Sequence, residues 1–146
     1  MKQDAVEKPD AIAFGRAIPD GLSVNLLVSD MATAIAFAET VLAATIRYAD
    51  DAFAIVSACG STWMLHQDRT YRDHPMAGIV EGLDARGAGA EIRLHGRDPD
   101  AAEAAARATD HIVLAGAMDK PHGRREAFIL DPDGYVWVCD IADNPA

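Results

Sequence analysis

The order of strand-like and helix-like segments repeats in the two halves of this chain. Residues 22–66 run strand, helix, strand, strand, strand, and residues 89–140 run through the same order. The repeat is one of order and not of residue identity. Each half offers one helix to cover one face of its four short strands. The pattern therefore predicts an α+β fold built from two βαβββ modules.

The first half begins with a strand whose two faces differ. In the stretch LSVNLLVS, one face carries Val24, Leu26 and Val28, and the other carries Ser23, Asn25 and Leu27. Asp30 is then placed to cap the helix MATAIAFAETVLAA. Three runs rich in β-branched and aromatic residues follow, TIRYAD, AFAIVSA and STWMLHQ, which predict three strands.

The second half repeats these signals. The stretch AEIRLHGR places Ile92 and Leu94 on one face and Glu91, Arg93 and His95 on the other. Asp98 and Pro99 are typical of the start of a helix, here the Ala-rich segment AAEAAARAT. Two later strand-like runs, RREAFIL and YVWVCD, are joined by the turn sequence DPDG at positions 131–134. We therefore expect a closing hairpin at the end of the domain.

The segments outside the two modules have weaker patterns. Residues 1–20 read as a polar leader that is open to disorder, and residues 21–146 as a single domain. Residues 67–89 form a long connection with one helical turn expected near Met76. The N-terminus lacks a signal-peptide pattern, and no apolar run is long enough for a bilayer. These features predict a cytoplasmic location.

The charge and cysteine content of the chain argue against several classes of function. The formal net charge is -10, which disfavours partners that reward clusters of Lys and Arg, namely nucleic acids and anionic membranes. It is compatible with a cationic ligand, and also with a surface charged for solubility. Cys59 and Cys139 both lie in apolar, strand-like runs and outside any CxxC pair, so we expect two buried thiols and no disulfide framework.

Three segments resemble the vicinal oxygen chelate superfamily, which includes glyoxalase I, fosfomycin-resistance proteins, extradiol dioxygenases and bleomycin-resistance proteins. They are NLLVSDMATAIAF, EIRLHGRDPDAAEAAA and HGRREAFILDPDGYVWV, and the resemblance spans about residues 22–140. It implies that the two modules pair, that helices cover the convex side of their sheets and that the concave side forms a ligand-binding cup. It also implies a homodimer.

The resemblance further implies positions for a divalent metal. Carried over residue by residue, the family's ligands fall on Ser23, Met64, Glu91 and Val138. Only Glu91 among these is a suitable ligand for such a cation, so we expect no metal cofactor. An alternative set, His66 and His95 together with Glu91, could hold Fe, Zn, Ni or Mn.

The residues expected to point into the cup define a candidate ligand site: Ser23, Asn25, Trp63, Glu91, Arg93, His95 and Val138. Trp63 could stack on a planar or cationic ligand, whereas Trp137 should pack in the core. The leading interpretation is a small-molecule-binding protein without a metal that holds an aromatic or cationic ligand.

Three other interpretations stay open. The first is a metal-dependent lyase, isomerase or dioxygenase that uses displaced ligands. The second is a structural partner with no ligand at all. In the third, Glu91 acts with Arg93 or His95 as an acid or base in a metal-free reaction, although the same residues could form an ordinary cross-strand salt bridge.

Overall fold

The computed structural model describes residues 8–143. Its helices are α1 (Ala11–Ala17), α2 (Met31–Thr40), α3 (Ala77–Val80) and α4 (Pro99–Ala108), with a 3-10 turn at Asp68–Tyr71. Its strands are β1 (Asn25–Val28), β2 (Thr45–Ala49), β3 (Phe53–Ala58), β4 (Ser61–Gln67), β5 (Ile92–His95), β6 (Val113–Asp119), β7 (Arg124–Leu130) and β8 (Val136–Ala142).

The strands form two four-stranded sheets with the same topology. The first has the order β1-β4-β3-β2 and the second the order β5-β8-β7-β6. In each sheet the first strand of the module pairs in parallel with the last, and the other pairs are antiparallel. The predicted α+β architecture of two βαβββ modules is confirmed.

The two main helices begin at the expected residues. The carboxylate of Asp30 accepts a hydrogen bond from the N–H of Thr33 at 2.8 Å, and α2 follows. In the second module, the carboxylate of Asp98 accepts from the N–H of Ala101 at 2.9 Å, with Pro99 at the first helical position. Each cap satisfies a donor that has no partner within the helix.

One core joins the two modules. The apolar faces of both sheets pack with α2 and α4, and the buried residues include Leu26, Val28, Phe37, Leu42, Leu65, Leu94, Ala102, Ala106, Ile129 and Cys139. We call these two sheet surfaces the core faces. Trp63 and Trp137 occupy equivalent places in β4 and β8, and their ring centroids lie 5.2 Å apart. The predicted core-facing sides of β1 and β5 are therefore correct.

The prediction of two buried thiols is wrong for one of them. Cys139 is fully buried in β8, and burial raises the pKa of its thiol to about 12. Cys59 is exposed because it lies in the turn between β3 and β4, where its backbone has φ 50°. The apolar run AFAIVSA ends one residue earlier, so the strand pattern was extended too far.

The segment expected to be a polar leader contains a helix. In α1, the carboxylate of Asp10 accepts a hydrogen bond from the N–H of Ile12 at 3.0 Å. The ring of Phe14 contacts Phe53 of β3 edge-on, with centroids 6.4 Å apart. Residues 1–7 and 144–146 lie outside the described part. None of the described helices is both long enough and apolar enough to cross a membrane.

The long connection between the modules is anchored by Arg86. Its guanidinium donates two hydrogen bonds to the carboxylate of Asp68, at 2.7 and 2.8 Å, and a third to the carbonyl oxygen of Leu27 at 3.2 Å. The N–H groups of Arg86 and Gly87 bond to the carbonyls of Asp133 and Gly134. The connection is therefore fixed against both modules, and its helical turn is the short α3.

Candidate functional site

The predicted site residues lie mainly on the sheet surfaces that face away from the core, and they form two groups. One group belongs to β1, β3 and β4, and we call this surface the first outer face. The other belongs to β5, β7 and β8, the second outer face. Within residues 8–143, no hydrogen bond or ion pair joins the polar side chains of the two groups.

On the first outer face, Asn25 connects His66 to Tyr71. The Nδ1 of His66 lies 2.6 Å from Asn25 Oδ1, and the Asn25 amide nitrogen donates to the Tyr71 hydroxyl at 2.9 Å. Since the amide oxygen can only accept, the proton lies on Nδ1 of His66. The imidazole also packs against Phe53, with centroids 4.8 Å apart. Burial lowers the pKa of His66, which favours the neutral ring.

A groove lies beside this face, between the N-terminal segment and the start of β4. Its volume is about 480 Å³. It is lined largely by apolar residues and one carboxylate, namely Phe14, Ile18, Leu22, Met64 and Asp20. Ser23 and Trp63, both predicted ligand-binding residues, also border it. A volume of this size lies within the range of small-molecule sites.

Trp63 has a different environment from the one expected. Its side chain is on the core face and is only 5% exposed. It packs against Trp137 and so cannot present an open ring surface for stacking. Trp63 was expected in the ligand site because its strand lines the cup in the related family. However, side chains alternate along β4, so Met64 points to the outer face and Trp63 to the core.

The second outer face carries a compact set of charged side chains. We call Arg93, His95, His122, Arg124, Glu126 and Asp140 the ionic cluster. Strand pairing brings its members together, because His95 lies opposite Asp140 and Glu126 lies opposite Asp140 on the other side. Two carboxylates thus occupy neighbouring positions on adjacent strands, which is unfavourable unless cations separate them.

Asp140 is the centre of the ionic cluster. It is fully buried, and its carboxylate accepts hydrogen bonds from Nδ1 of His95 at 2.6 Å, from Arg124 at 2.6 Å and from Arg93 at 3.1 Å. Burial alone would raise the pKa of Asp140. The hydrogen bonds from Arg124 and His95 outweigh that effect, so the pKa lies below its usual value and the group is ionised.

Glu126 is a second buried carboxylate in the ionic cluster. It accepts hydrogen bonds from the guanidinium of Arg93 and from Nε2 of His122, the latter at 2.8 Å. Burial acts to raise the pKa of Glu126, but these two donors lower it further than burial raises it. Arg93 also donates to Glu91 at 2.8 Å, so the salt bridge weighed in the sequence forms between a residue of β5 and the residue just before that strand.

Four of these residues were not singled out as site residues by sequence reasoning. Glu126 and Asp140 sit in the runs RREAFIL and YVWVCD, whose apolar content suggests core. Alternation along β8 places Asp140 on the same face as Val138, and that signal could have identified it. His122 and Arg124 precede or open β7 and read as residues of a loop or strand end. Val138 itself is fully buried.

The residues at the metal positions do not fit a divalent cation. Ser23, Met64 and Val138 offer no carboxylate or imidazole, and Glu91 is paired with Arg93. The displaced set is not assembled either: His66 is bonded to Asn25 in the first module, whereas Glu91 and His95 belong to the second. Across residues 8–143, no group of three or more His, Cys, Asp or Glu side chains has a metal-binding arrangement.

Comparisons with known proteins support the fold. No protein-family profile matches the sequence, and no curated protein matches it. Among solved structures, the chain is similar to a glyoxalase/bleomycin resistance protein/dioxygenase from Nocardioides, with a TM-score of 0.62, 17% identity, and 92% of this chain and 93% of that chain covered.

Two further solved structures are similar to this chain. A glyoxalase-related enzyme from Fulvimarina pelagi gives a TM-score of 0.66 at 13% identity, over 84% of this chain and 88% of that one. The fosfomycin resistance protein FosX from Mesorhizobium loti gives 0.60 at 15% identity, over 86% and 95%. The chain therefore has the fold of the glyoxalase/bleomycin-resistance proteins, as the sequence resemblance predicted.

Proposed function

We propose that this protein binds a small aromatic or cationic molecule in the groove beside the first outer face, without a metal. The observation that supports the proposal is the groove itself: a partly enclosed space of about 480 Å³ with apolar walls and one carboxylate. Sites for small organic molecules combine these features, because apolar walls supply affinity and a few polar groups set orientation.

The residues that line the groove favour a ligand with an aromatic body and a positive charge. Phe14 and Met64 supply aromatic and polarisable surface to the lining. Among residues 8–143, Asp20 is the only charged residue of the lining, and the chain as a whole carries a net charge of -10. Both attract a positively charged group and repel an anion. An amine or ammonium compound with an aromatic body fits this description.

The N-terminal segment forms one wall of the groove, and it is loosely held. None of the residues of α1 is buried, and Ile12 and Ile18 remain largely exposed. A ligand that contacts both Phe14 and Met64 would tie this segment to the sheet. We therefore expect ligand binding to protect the peptide bond after Arg16 from trypsin, because cleavage requires local opening.

We further propose that the protein is a homodimer, as its resemblance to bleomycin-resistance proteins implies. The edge strand β6 and the residue before it leave three apolar side chains exposed, Ile112, Leu114 and Met118. An edge strand with such side chains is suited to pairing with a second copy. Light scattering should give twice the monomer mass of 15.5 kDa, and Leu114→Lys should return the monomer.

The binding proposal is tested by a thermal-melt screen of aromatic amines and quaternary ammonium compounds. A ligand that binds only the folded protein must raise the melting temperature. Thr62→Trp places a large ring in the groove and should abolish the shift. Thr40→Trp, at an exposed position at the end of α2 and outside the groove, is the matched control and should retain the shift. Shifts that survive Thr62→Trp would refute the groove as the site.

The expectation of no metal has its own test. The purified protein is incubated with Fe(II), Zn(II), Ni(II) or Mn(II), dialysed and analysed for bound metal. Stoichiometric metal that is lost in His66→Ala, Glu91→Ala or His95→Ala would support the displaced-ligand alternative instead. The expected result is no stoichiometric metal, since the side chains at the implied positions do not suit such a cation.

A further inference from the structure

His95 and Asp140 form a pair that is common in proton transfer. The Nδ1 atom of His95 lies 2.6 Å from a carboxylate oxygen of Asp140, which is fully buried beneath it. The His95 side chain itself is 64% exposed. The buried end of the imidazole is thus held by an anion while the rest of the ring faces the surroundings.

This contact determines which nitrogen of His95 is free. Because a carboxylate accepts hydrogen bonds, the proton of the neutral imidazole must lie on Nδ1. The lone pair is then on Nε2, for which residues 8–143 provide no hydrogen-bond partner. A neutral imidazole with Nδ1 bonded to a carboxylate and Nε2 available is an oriented general base.

Arg124 lies beside this base. Its Nη2 donates to the same oxygen of Asp140 at 2.6 Å and lies 3.5 Å from Nδ1 of His95. The Nε of Arg124 is buried and lacks a hydrogen-bond partner among the described residues. That atom is shielded from a bound molecule, but the Arg124 side chain as a whole is 29% exposed. Another nitrogen of its guanidinium can therefore donate to an oxygen of a bound molecule.

The rest of the ionic cluster keeps Asp140 charged and in place. Arg93 bridges Asp140 and Glu126, and His122 bonds the far side of Glu126. Glu91 is a further charged group of this surface and is bonded to Arg93. Burying two carboxylates in a sheet is expensive compared with apolar residues of similar size, so the fold alone does not require this arrangement.

We propose that the ionic cluster is a metal-independent proton-transfer site for a small carbonyl compound. His95 is its general base, Asp140 is the positioning residue that orients His95, and Arg124 holds the substrate oxygen. This site is separate from the groove of the proposed function, so either can be correct without the other.

The chemistry balances without a co-reactant. Nε2 of His95 takes a proton from the carbon next to the carbonyl group, and the electrons of that C–H bond move to the carbonyl oxygen. The guanidinium of Arg124 neutralises the negative charge that develops there. Asp140 stabilises the imidazolium formed on His95. Returning the proton to the same carbon on its other face gives the epimer of a starting compound in which that carbon is a stereocentre.

The first test uses the unmodified protein. Nitrogen-15 NMR of the histidine side chains reports which ring nitrogen carries the proton. The expected signature for neutral His95 is a proton on Nδ1 and none on Nε2. The opposite tautomer would overturn the proposal. In Asp140→Ala, which has no side-chain acceptor, the preference for Nδ1 should be lost, an effect that a purely structural role of Asp140 would not produce.

The second test measures how fast the protein removes a proton from carbon in a probe compound. The probe is 5-nitrobenzisoxazole, from which a base removes a carbon-bound proton as the N–O bond breaks, giving a coloured phenolate. We expect a protein-dependent rate that His95→Ala lowers by about tenfold or more, a modest part of what positioned bases achieve. His74→Ala, at an exposed histidine outside the cluster, is the control and should keep the full rate.

The outcomes of the second test are decisive. Equal rates for the unmodified protein and His95→Ala would overturn the proposal, as would a rate abolished by a chelator, which would indicate metal chemistry. Circular dichroism of each variant shows whether it folds. If Asp140→Ala does not fold, the tautomer measurement on the unmodified protein and the His95→Ala rate still decide the question.

Discussion

The carboxylate of Asp133 accepts hydrogen bonds from both the backbone N–H and the hydroxyl of Ser29, at 3.1 and 2.7 Å, across 104 residues of sequence. Asp133 belongs to the turn of the closing hairpin, and Ser29 follows the first strand. The hydroxyl of Tyr135 donates to the carbonyl of Leu27 at 2.9 Å beside them. The final turn is therefore a connection between the two modules as well as the end of a hairpin.

Replacing Asp133 should weaken the whole domain. Asp133→Ala leaves the donors of Ser29 without an acceptor and removes the anion that lies 3.9 Å from Nε of Arg86. Loss of a buried charged acceptor typically costs about 3 kcal/mol in the free energy of unfolding. Urea denaturation measures this loss of stability. Asp119→Ala, which removes an exposed partner of Arg125, is the control and should cost less than about 1 kcal/mol.

Gly134 should not tolerate a side chain. A Cβ there would lie 2.1 Å from the carbonyl oxygen of Asp84 and 2.6 Å from Cα of Ala85, and the backbone has φ +80°. Gly134→Ala must therefore push the connection away from the hairpin, and we expect a loss of about 3 kcal/mol in the free energy of unfolding. Gly78→Ala in α3 meets nothing within 4 Å and should be neutral or slightly stabilising. Equal urea midpoints for the two variants would contradict this packing.

Because of the ionic cluster, the free energy of unfolding should decrease at acidic pH. The pKa of Asp140 and that of Glu126 lie below their usual values in the folded protein. Such groups stabilise the fold above their unfolded pKa of about 4, and this contribution is lost as pH falls through the lower folded values. Urea midpoints measured from pH 7 down to pH 2 should decline below about pH 4. Glu126→Gln removes one of the two groups and should have the shallower decline; an equal slope would argue against the ion pairing.

The sequence predicted the fold because its signals are local and repeated. Alternation in LSVNLLVS and AEIRLHGR assigned the faces of β1 and β5, and Asp30 and Asp98 marked the helix starts. Helix α1 was missed because its seven residues make only about two turns, which is too short for a helical period of apolar residues to be recognised. The exposed position of Cys59 depends on where one strand ends, which alternation does not define.

The candidate site was predicted only in part, since it depends on contacts between distant strands. Arg93 and His95 were placed on the correct face by alternation, but their partner Asp140 is 45 residues from His95. Nothing in the sequence pairs these two residues until β5 and β8 are known to be neighbours. Trp63 was misjudged for a different reason, since alternation along β4 already directs it to the core; only its partner there, Trp137 of the other module, depends on the fold. Side-chain pairing across modules is a product of the fold, and a sequence pattern does not contain it.

Asp131 should give the opposite pH dependence from the ionic cluster. Burial raises the pKa of its carboxyl to about 6, although the N–H groups of Tyr135 and Asp133 and the indole N–H of Trp137 all donate to it. A carboxyl whose folded pKa exceeds its unfolded pKa of about 4 stabilises the fold when protonated. Its contribution is complete below about pH 4 and is lost as pH rises to about 6. Carbon-13 NMR of the Asp131 carboxyl should show this titration near pH 6, and the urea midpoint should fall between pH 4 and 6. A carboxyl that is fully ionised at pH 4 would mean that the three N–H donors outweigh burial.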